Sequence, residues 1–205
     1  MAAELKAAGV RSVKGRFKVY EASLPVLRQI DPEQPDHVGY NPGVSGIALN
    51  FNRVHFEWKR EDDDFATFMD ARSENYRPAV TTSRISITDR NDPVFTYRDL
   101  GQADQWTVAR AALNDAGSRW LPVRNPAIYA GDVFQTMARA LGVPLPNPEK
   151  IADLPDAAEI AAHESEDLTK IMRSMLRFST NLTAEGAGLT ATKKIVGKPF
   201  ALPES

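Results

Sequence analysis

The strongest constraint on the fold is a change of hydrophobic periodicity at Pro126. Upstream, between Val13 and Val123, apolar residues alternate with polar ones in several short segments. A spacing of two is typical of half-buried β-strands. Downstream, apolar residues recur at every third or fourth position, which is the spacing of amphipathic helices. The sequence therefore predicts an α+β chain in which a β-rich part precedes a helical part.

Several strand candidates in the β-rich part are separated by turn residues, which predicts antiparallel strands. The acidic run Glu61–Asp64 predicts a solvated hairpin tip between two of them. Just before that hairpin, Leu49 and Phe51 are out of phase with Val54, and this shift predicts a β-bulge near Arg53. The candidates are residues 12–20, 47–60, 65–71, 80–88, 94–97, 105–113 and 119–123.

The helical part contains one long predicted helix that begins at Pro126 and ends at Gly142. Its apolar stripe, which includes Tyr129, Val133 and Met137, is predicted to lie in the core. A proline-rich linker follows, which predicts a boundary between residues 1–155 and residues 156–205.

After the linker, residues 165–178 have the spacing of a second amphipathic helix, with Ser165 as its predicted N-cap. At the other end of the chain, Ala2–Ala8 predicts a short helix.

The composition excludes several classes of function. The 205 residues are 42% hydrophobic and have a formal net charge of -2, without a Lys/Arg cluster, which argues against nucleic acid or anionic membrane as a partner. Without cysteine, disulfides, thiolate metal sites and cysteine nucleophiles are unavailable. No apolar stretch is long enough to span a bilayer, and the first residues do not resemble a signal peptide. We therefore expect a soluble chain without a transmembrane segment or an export signal.

Two Ser-x-Asn triplets are the candidate chemical motifs, one at Ser73 and Asn75 and one at Ser179 and Asn181. About one such triplet is expected by chance in a chain of this length. Ser73 lies among turn residues, so a turn is predicted there. Ser179 lies between an amphipathic helix and a run of small residues. From the pattern alone, a helix end followed by the N-cap of the next helix is the simpler interpretation. The alternative is a junction between two helices that fixes two hydrogen-bonding side chains in position.

The residues around Ser179 resemble a known family. The segment ESEDLTKIMRSMLRFSTNLTAE is similar to the region of the second active-site motif in the class C low-molecular-mass penicillin-binding proteins, which are D-alanyl-D-alanine carboxypeptidases and endopeptidases. Four upstream segments resemble further pieces of the same family in the same order. They are residues 9–25, 39–58, 70–80 and 119–143.

The resemblance implies a fold, a substrate and a place of action. Residues 1–155 would be a β-rich accessory region, and residues 156–205 would be part of a peptidase domain of the serine β-lactamase and penicillin-binding type. The substrates would be peptidoglycan peptides ending in D-Ala-D-Ala, and β-lactams would bind the intact enzyme. The intact protein would be periplasmic or extracytoplasmic and would use no metal or organic cofactor.

The resemblance also implies roles for two residues. The family builds its active site from Ser-x-x-Lys, Ser-x-Asn and Lys-Thr-Gly. Ser179 and Asn181 match the second motif. The Ser179 hydroxyl would relay a proton between the lysine-activated nucleophile and the departing amine, and the Asn181 amide would orient that lysine and the substrate.

The chain departs from this pattern because it contains neither Ser-x-x-Lys nor Lys-Thr-Gly. We therefore expect an internal fragment that is inactive alone, because Ser179 lacks an activating lysine. Two alternatives stay open: a catalytically inactive relative that binds cell wall or a protein partner, and an unrelated β-rich ligand-binding module with a helical hairpin.

The remaining candidates have simpler interpretations. His37, His55 and His163 are far apart and lack a paired-ligand spacing, so His55 is predicted to be a cross-strand contact and His163 a surface residue. The acidic run at residues 61–64 lacks the glycine and the spacing of a calcium loop. The sequence therefore predicts no metal site.

Overall fold

The computed structural model describes residues 1–198 and confirms the α+β class. The helices are Ala2–Ala7 (α1), Pro126–Ala140 (α2), Leu168–Phe178 (α3) and Asn181–Val196 (α4). The strands are Phe17–Tyr20 (β1), Arg53–Glu61 (β2), Asp64–Asp70 (β3), Ser83–Thr88 (β4), Phe95–Asp99 (β5), Asp104–Ala109 (β6), Ala116–Pro122 (β7) and Pro148–Ile151 (β8). Within the described residues they form three sheets, in the orders β1-β8, β3-β2-β7 and β4-β6-β5.

The sheet β3-β2-β7 contains the predicted hairpin. Glu61 pairs with Asp64, so the acidic residues form a tight solvated turn in which Asp62 has a φ of 52°. Asp tolerates this left-handed conformation better than most residues, which explains its place in the turn. The buried faces of β2 and β7 form much of the main core, together with β6 and α2.

The expectation of antiparallel strands throughout is wrong for two strand pairs. β4 pairs with β6 in parallel, and β1 pairs with β8 in parallel. In the first case β5 lies between them in sequence and pairs antiparallel with the other edge of β6, so two reversals return the chain to its starting direction. Hydrophobic alternation reports a strand but not its direction, which explains the error.

The predicted β-bulge near Arg53 is a left-handed turn instead. Asn50, Phe51 and Asn52 have φ values of 54°, 57° and 49°. Asn52 is fully buried; its Nδ2 donates to the carbonyl of Gly43 at 2.9 Å, and its Oδ1 accepts from the Leu49 N–H at 3.1 Å. Asparagine tolerates positive φ, and these bonds hold the turn, which produces the phase break seen in the sequence.

Helix α2 agrees with its prediction and joins the sheets. Tyr129 and Val133 are buried in the main core, and Met137 packs at its edge. The Tyr129 hydroxyl donates to the Arg53 carbonyl at 2.9 Å, which ties the helix to the start of β2. The first predicted strand is shorter than expected, because only Phe17–Tyr20 pairs with another strand.

Helices α3 and α4 are attached by a small separate core. Leu182 and Leu189 of α4 are buried against Val44, whereas no residue of Leu168–Phe178 is buried. The N-cap of α3 is Asp167, whose carboxylate accepts from the Lys170 N–H at 3.0 Å, and not Ser165 as predicted. No helix within residues 1–198 combines the length and apolar character needed to cross a membrane.

Candidate functional site

Ser179 and Asn181 lie at the seam between α3 and α4. Ser179 ends α3 in a left-handed conformation with φ 51° and ψ 51°, and α4 begins at Asn181. Glycine is the usual residue in this position, and a residue with a side chain costs about 1 to 2 kcal/mol there. A serine at such a position is consistent with a role for its exposed side chain.

The Asn181 side chain connects this seam to the irregular loop that precedes β2. Its Nδ2 donates to the carbonyl of Tyr40 at 3.1 Å. Because Asn181 is the first residue of α4, this hydrogen bond fixes the N-terminus of the helix against the loop. The seam is therefore held on one side by α3 and on the other by residues around Tyr40.

Arg124, which is 4% exposed, binds the same loop from the protein interior. Its Nη1 donates to the carbonyl of Asn41 at 2.6 Å and of Arg28 at 3.1 Å, and its Nη2 donates to the carbonyl of Asp36 at 2.8 Å. Burial lowers the pKa of this guanidinium from its ordinary value, and the nearby Asp36 opposes that effect. The backbone that contacts Asn181 is thus anchored to the protein interior.

A small cavity of about 140 Å³ opens beside the seam. Ser179 and Asn181 lie in its wall, so the structure brings both predicted residues to one concave site. No lysine lines this cavity among the described residues. The lining residues are Gly39, Tyr40, Pro42, Phe51, Arg53, Phe178, Ser179, Thr180, Asn181 and Leu182.

A larger open groove of about 1090 Å³ lies next to this cavity and shares Phe51 and Leu182 with it. We call it the apolar groove. It is formed by one face of α3, one face of α4 and the loop before β2. Its apolar members include Leu24, Val44, Ala48, Leu168, Ile171 and Met172.

Tyr40, Phe51 and Arg53 belong to the site but are not predicted as site residues from the sequence. The phase break in residues 47–60 is the one local signal near two of them, and it indicates an irregular backbone without indicating a site. Their neighbours in the structure come from β7 and the α3–α4 seam, which are distant in sequence.

The second triplet has the predicted structural role. The Ser73 Oγ accepts from the Tyr76 N–H at 3.2 Å, and the Ser73 N–H donates to the Tyr76 carbonyl at 2.8 Å, so the segment is a closed turn. Neither Ser73 nor Asn75 lines the cavity at Ser179.

The histidines are separate from the site. His55 packs edge-on against Trp120 in the neighbouring strand, with 4.9 Å between ring centroids, which confirms the predicted cross-strand contact. His37 stacks on Phe95 at 5.2 Å, and His163 is exposed. Within residues 1–198, no cluster of His, Asp and Glu side chains could hold a metal ion.

Comparisons with known proteins find a matching family and similar solved structures. The model of the D-Ala-D-Ala carboxypeptidase 3 (S13) family matches residues 1–201. A crystal structure of penicillin binding protein 4 (dacB) from Haemophilus influenzae matches with a TM-score of 0.65 and 18% identity over 96% of this chain and 45% of that chain. The same protein complexed with a novel β-lactam matches with a TM-score of 0.59 and 16% identity over 96% of this chain and 43% of the other.

These matches show the fold over nearly all of the chain, which spans less than half the length of either matched structure. A search of curated proteins finds no significant match.

Proposed function

The chain belongs to the D-Ala-D-Ala carboxypeptidase 3 (S13) family, and on this premise we propose that it is part of a serine-type D-alanyl-D-alanine carboxypeptidase or endopeptidase. The substrates are peptidoglycan stem peptides that end in D-Ala-D-Ala, and β-lactams bind the intact enzyme at the same site. The protein acts in the periplasm or at the outer face of the cytoplasmic membrane.

The observation that carries this proposal is the hydrogen bond between Asn181 and Tyr40. It supports a motif at a cavity wall in which the Asn181 side chain is held in place, since the Tyr40 loop is itself anchored by the buried Arg124. The left-handed Ser179 adds support, because a purely structural helix end at this point would be more stable with glycine.

The proposed reaction uses residues of this chain together with two motifs that the chain does not contain. The nucleophilic serine and its lysine come from Ser-x-x-Lys. The serine hydroxyl gives its proton to the lysine as its oxygen attacks the carbonyl carbon between the two D-alanines, the C–N bond breaks, and the leaving D-alanine amine takes up that proton. Ser179 relays that proton because a hydroxyl both donates and accepts. Asn181 orients the lysine and the substrate. Water then hydrolyses the acyl-enzyme.

We assign the two parts of the chain different roles in this enzyme. Residues 1–155 form the β-rich accessory region, and residues 156–205 form part of the peptidase domain, the last seven of which lie outside the described residues. The proposal is supported by the segment between Ala152 and Asp167, which has no helix or strand and is almost entirely exposed, as a linker between two units would be.

One observation favours a second candidate function. Since the 205 residues contain neither Ser-x-x-Lys nor Lys-Thr-Gly, the chain could be a non-enzymatic relative that binds cell wall or a protein partner. The coding sequence on either side separates the two: in-frame motifs support the enzyme, whereas stop codons or unrelated sequence support the binding protein. Pull-down of the chain on peptidoglycan, with a neutral polysaccharide as control, tests the binding function.

The enzyme function is tested with a polypeptide extended by the flanking coding sequence. Hydrolysis of a D-Ala-D-Ala peptide is measured for the extended protein and for Ser179→Ala, Asn181→Ala and Ser73→Ala. We expect Ser179→Ala to lose about 100-fold or more in kcat, as removal of a proton-transfer group does, and Asn181→Ala to lower kcat because the lysine and the substrate are no longer oriented. Ser73→Ala is the matched control and keeps full activity. Equal losses at Ser73 and Ser179 would contradict the assignment.

A further inference from the structure

Arg53 has an unusual environment at the wall of the cavity beside Ser179. It is half-buried, and its Nε is a buried donor without a hydrogen-bond acceptor. Among the described residues it pairs with no carboxylate. Arg60, in the same strand, instead pairs with Asp115 at 2.9 Å. Burial lowers the pKa of the Arg53 guanidinium, and no carboxylate counters this effect.

Two aromatic rings occupy the space around this guanidinium. The Arg53 Cζ lies 5.1 Å from the centroid of the Phe51 ring and 5.2 Å from that of the Trp120 ring. Both distances are in the range of cation–π contacts, which stabilise a desolvated cation. The rings offer no oxygen, however, so the Arg53 Nε–H still lacks the acceptor that a buried donor needs.

The backbone of Arg53 is also fixed before any ligand arrives. The Arg53 carbonyl accepts from the Tyr129 hydroxyl at 2.9 Å, which holds the backbone of the residue. Glycine at position 39 leaves room for the Arg53 stem, because a Cβ there would lie 3.5 Å from the Arg53 Cδ and 2.9 Å from the Trp120 carbonyl oxygen. Such prior ordering lowers the entropy cost of binding.

The remaining polar groups of the cavity suit a negatively charged ligand. Asn181 begins a helix of 16 residues, so the positive end of the helix dipole faces this region. The N-cap residue Thr180 makes no side-chain hydrogen bond to the first turn. The described lining of the cavity contains no Asp or Glu that would repel an anion.

From these observations we propose that Arg53 anchors a binding site for an organic carboxylate beside Ser179 and Asn181. The guanidinium fork matches a planar carboxylate with two parallel hydrogen bonds. The inference names the chemical group that the cavity recognises, and it holds for the chain itself whether or not Ser179 takes part in hydrolysis.

The test is an NMR titration of the 205-residue chain with sodium acetate at constant ionic strength, with chloride and inorganic phosphate as parallel arms. The arginine Nε–H resonance of Arg53 is identified by its loss in Arg53→Gln. We expect this resonance and the Asn181 side-chain amide to shift in a saturable manner with acetate. The acetate affinity falls about tenfold or more in Arg53→Gln, as expected when a charge-assisted hydrogen-bond pair is removed.

Arg60→Gln is the matched control, because Arg60 lies in the same strand and over an aromatic ring but has its own carboxylate partner. It is expected to bind acetate like the unchanged chain. If Arg53→Gln does not fold, the acetate affinity of Arg53→Lys is compared with that of the unchanged chain. Lysine keeps the positive charge but lacks the planar fork. Shifts that do not saturate, equal shifts with chloride, or stronger saturation with phosphate would each overturn the proposal.

Discussion

Asn181 and Tyr40, 141 residues apart in sequence, are joined by a hydrogen bond of 3.1 Å from the Asn181 Nδ2 to the Tyr40 carbonyl. This bond links the first residue of α4 to a loop that is otherwise fixed by Arg124. It makes the α3–α4 seam and the loop before β2 a single structural unit, and the proposed function depends on that unit.

The first prediction concerns this bond directly. Asn181→Ala should loosen the loop at residues 39–42, because the loss of one hydrogen bond costs about 1 kcal/mol, or about fivefold in local opening. Hydrogen exchange of the amides in this loop measures the effect. Asn75→Ala, in the other Ser-x-Asn triplet, should leave exchange unchanged. Equal exchange in the Asn181 variant would show that the bond does not hold the loop.

The second prediction concerns Arg124. Arg124→Met keeps much of the side-chain volume but removes the donors to the carbonyls of Arg28, Asp36 and Asn41. Leaving these acceptors unpaired should lower the free energy of unfolding by about 3 kcal/mol. Urea denaturation measures it, with the exposed Arg98→Met as control. A loss no larger than that of the control would mean that water replaces the guanidinium at little cost.

Part of this architecture is predictable from local pattern, as the hairpin β2–β3 and helix α2 show. In both, alternation or helical spacing coincides with the turn or cap residues that end the element, so neighbouring residues carry all the information. Ser165 and Asp167 mark the limit of such reasoning. Both residues can cap a helix, and the pattern does not reveal that the Asp167 carboxylate reaches the Lys170 N–H.

The site itself is less predictable, because it depends on contacts between distant segments. Ser179 and Asn181 are identified by a resemblance, and their roles remain a prediction. Arg53 gives no local signal of a site. Its significance comes from Trp120 in a neighbouring strand and from the absence of a carboxylate partner among the described residues, and both are properties of the tertiary structure. The parallel pairing of β4 with β6 is also a property of the tertiary structure, and local pattern does not reveal it.

The third prediction is a pH dependence of stability. Burial, and secondly the positive charge of Arg72, lower the pKa of His55 in the folded protein. The unfolded chain binds a proton at the ordinary histidine pKa of about 6.5, so unfolding takes up protons below that pH. Stability should therefore fall as the pH drops from about 7 towards 5, the range in which the unfolded histidine becomes charged.

His55→Gln should reduce this slope without abolishing it, because burial also lowers the pKa of His37. Thermal or urea unfolding between these pH values measures the slope, and the exposed His163→Gln is the control. An unchanged slope in the His55 variant would contradict the assignment.

The fourth prediction concerns the apolar groove. Leu168 is 68% exposed and lines this groove with Ile171, so the face should bind the dye ANS. The double variant Leu168→Gln and Ile171→Gln should bind less dye while its stability changes by only about 0.5 kcal/mol, since neither side chain is buried. Leu154→Gln, at an exposed residue outside the groove, is the control. Undiminished dye binding would place the exposed apolar surface elsewhere.

The central claim is that Ser179 and Asn181 serve an acylated serine supplied by another part of the enzyme. The most direct test is the rate of covalent penicillin adduct formation, measured by intact mass. The account predicts no adduct on the 205-residue chain, rapid adduct formation on the polypeptide extended to include Ser-x-x-Lys and Lys-Thr-Gly, and formation about 100-fold slower in its Ser179→Ala variant. An adduct on the 205-residue chain, or an unchanged rate in the Ser179 variant, would contradict it.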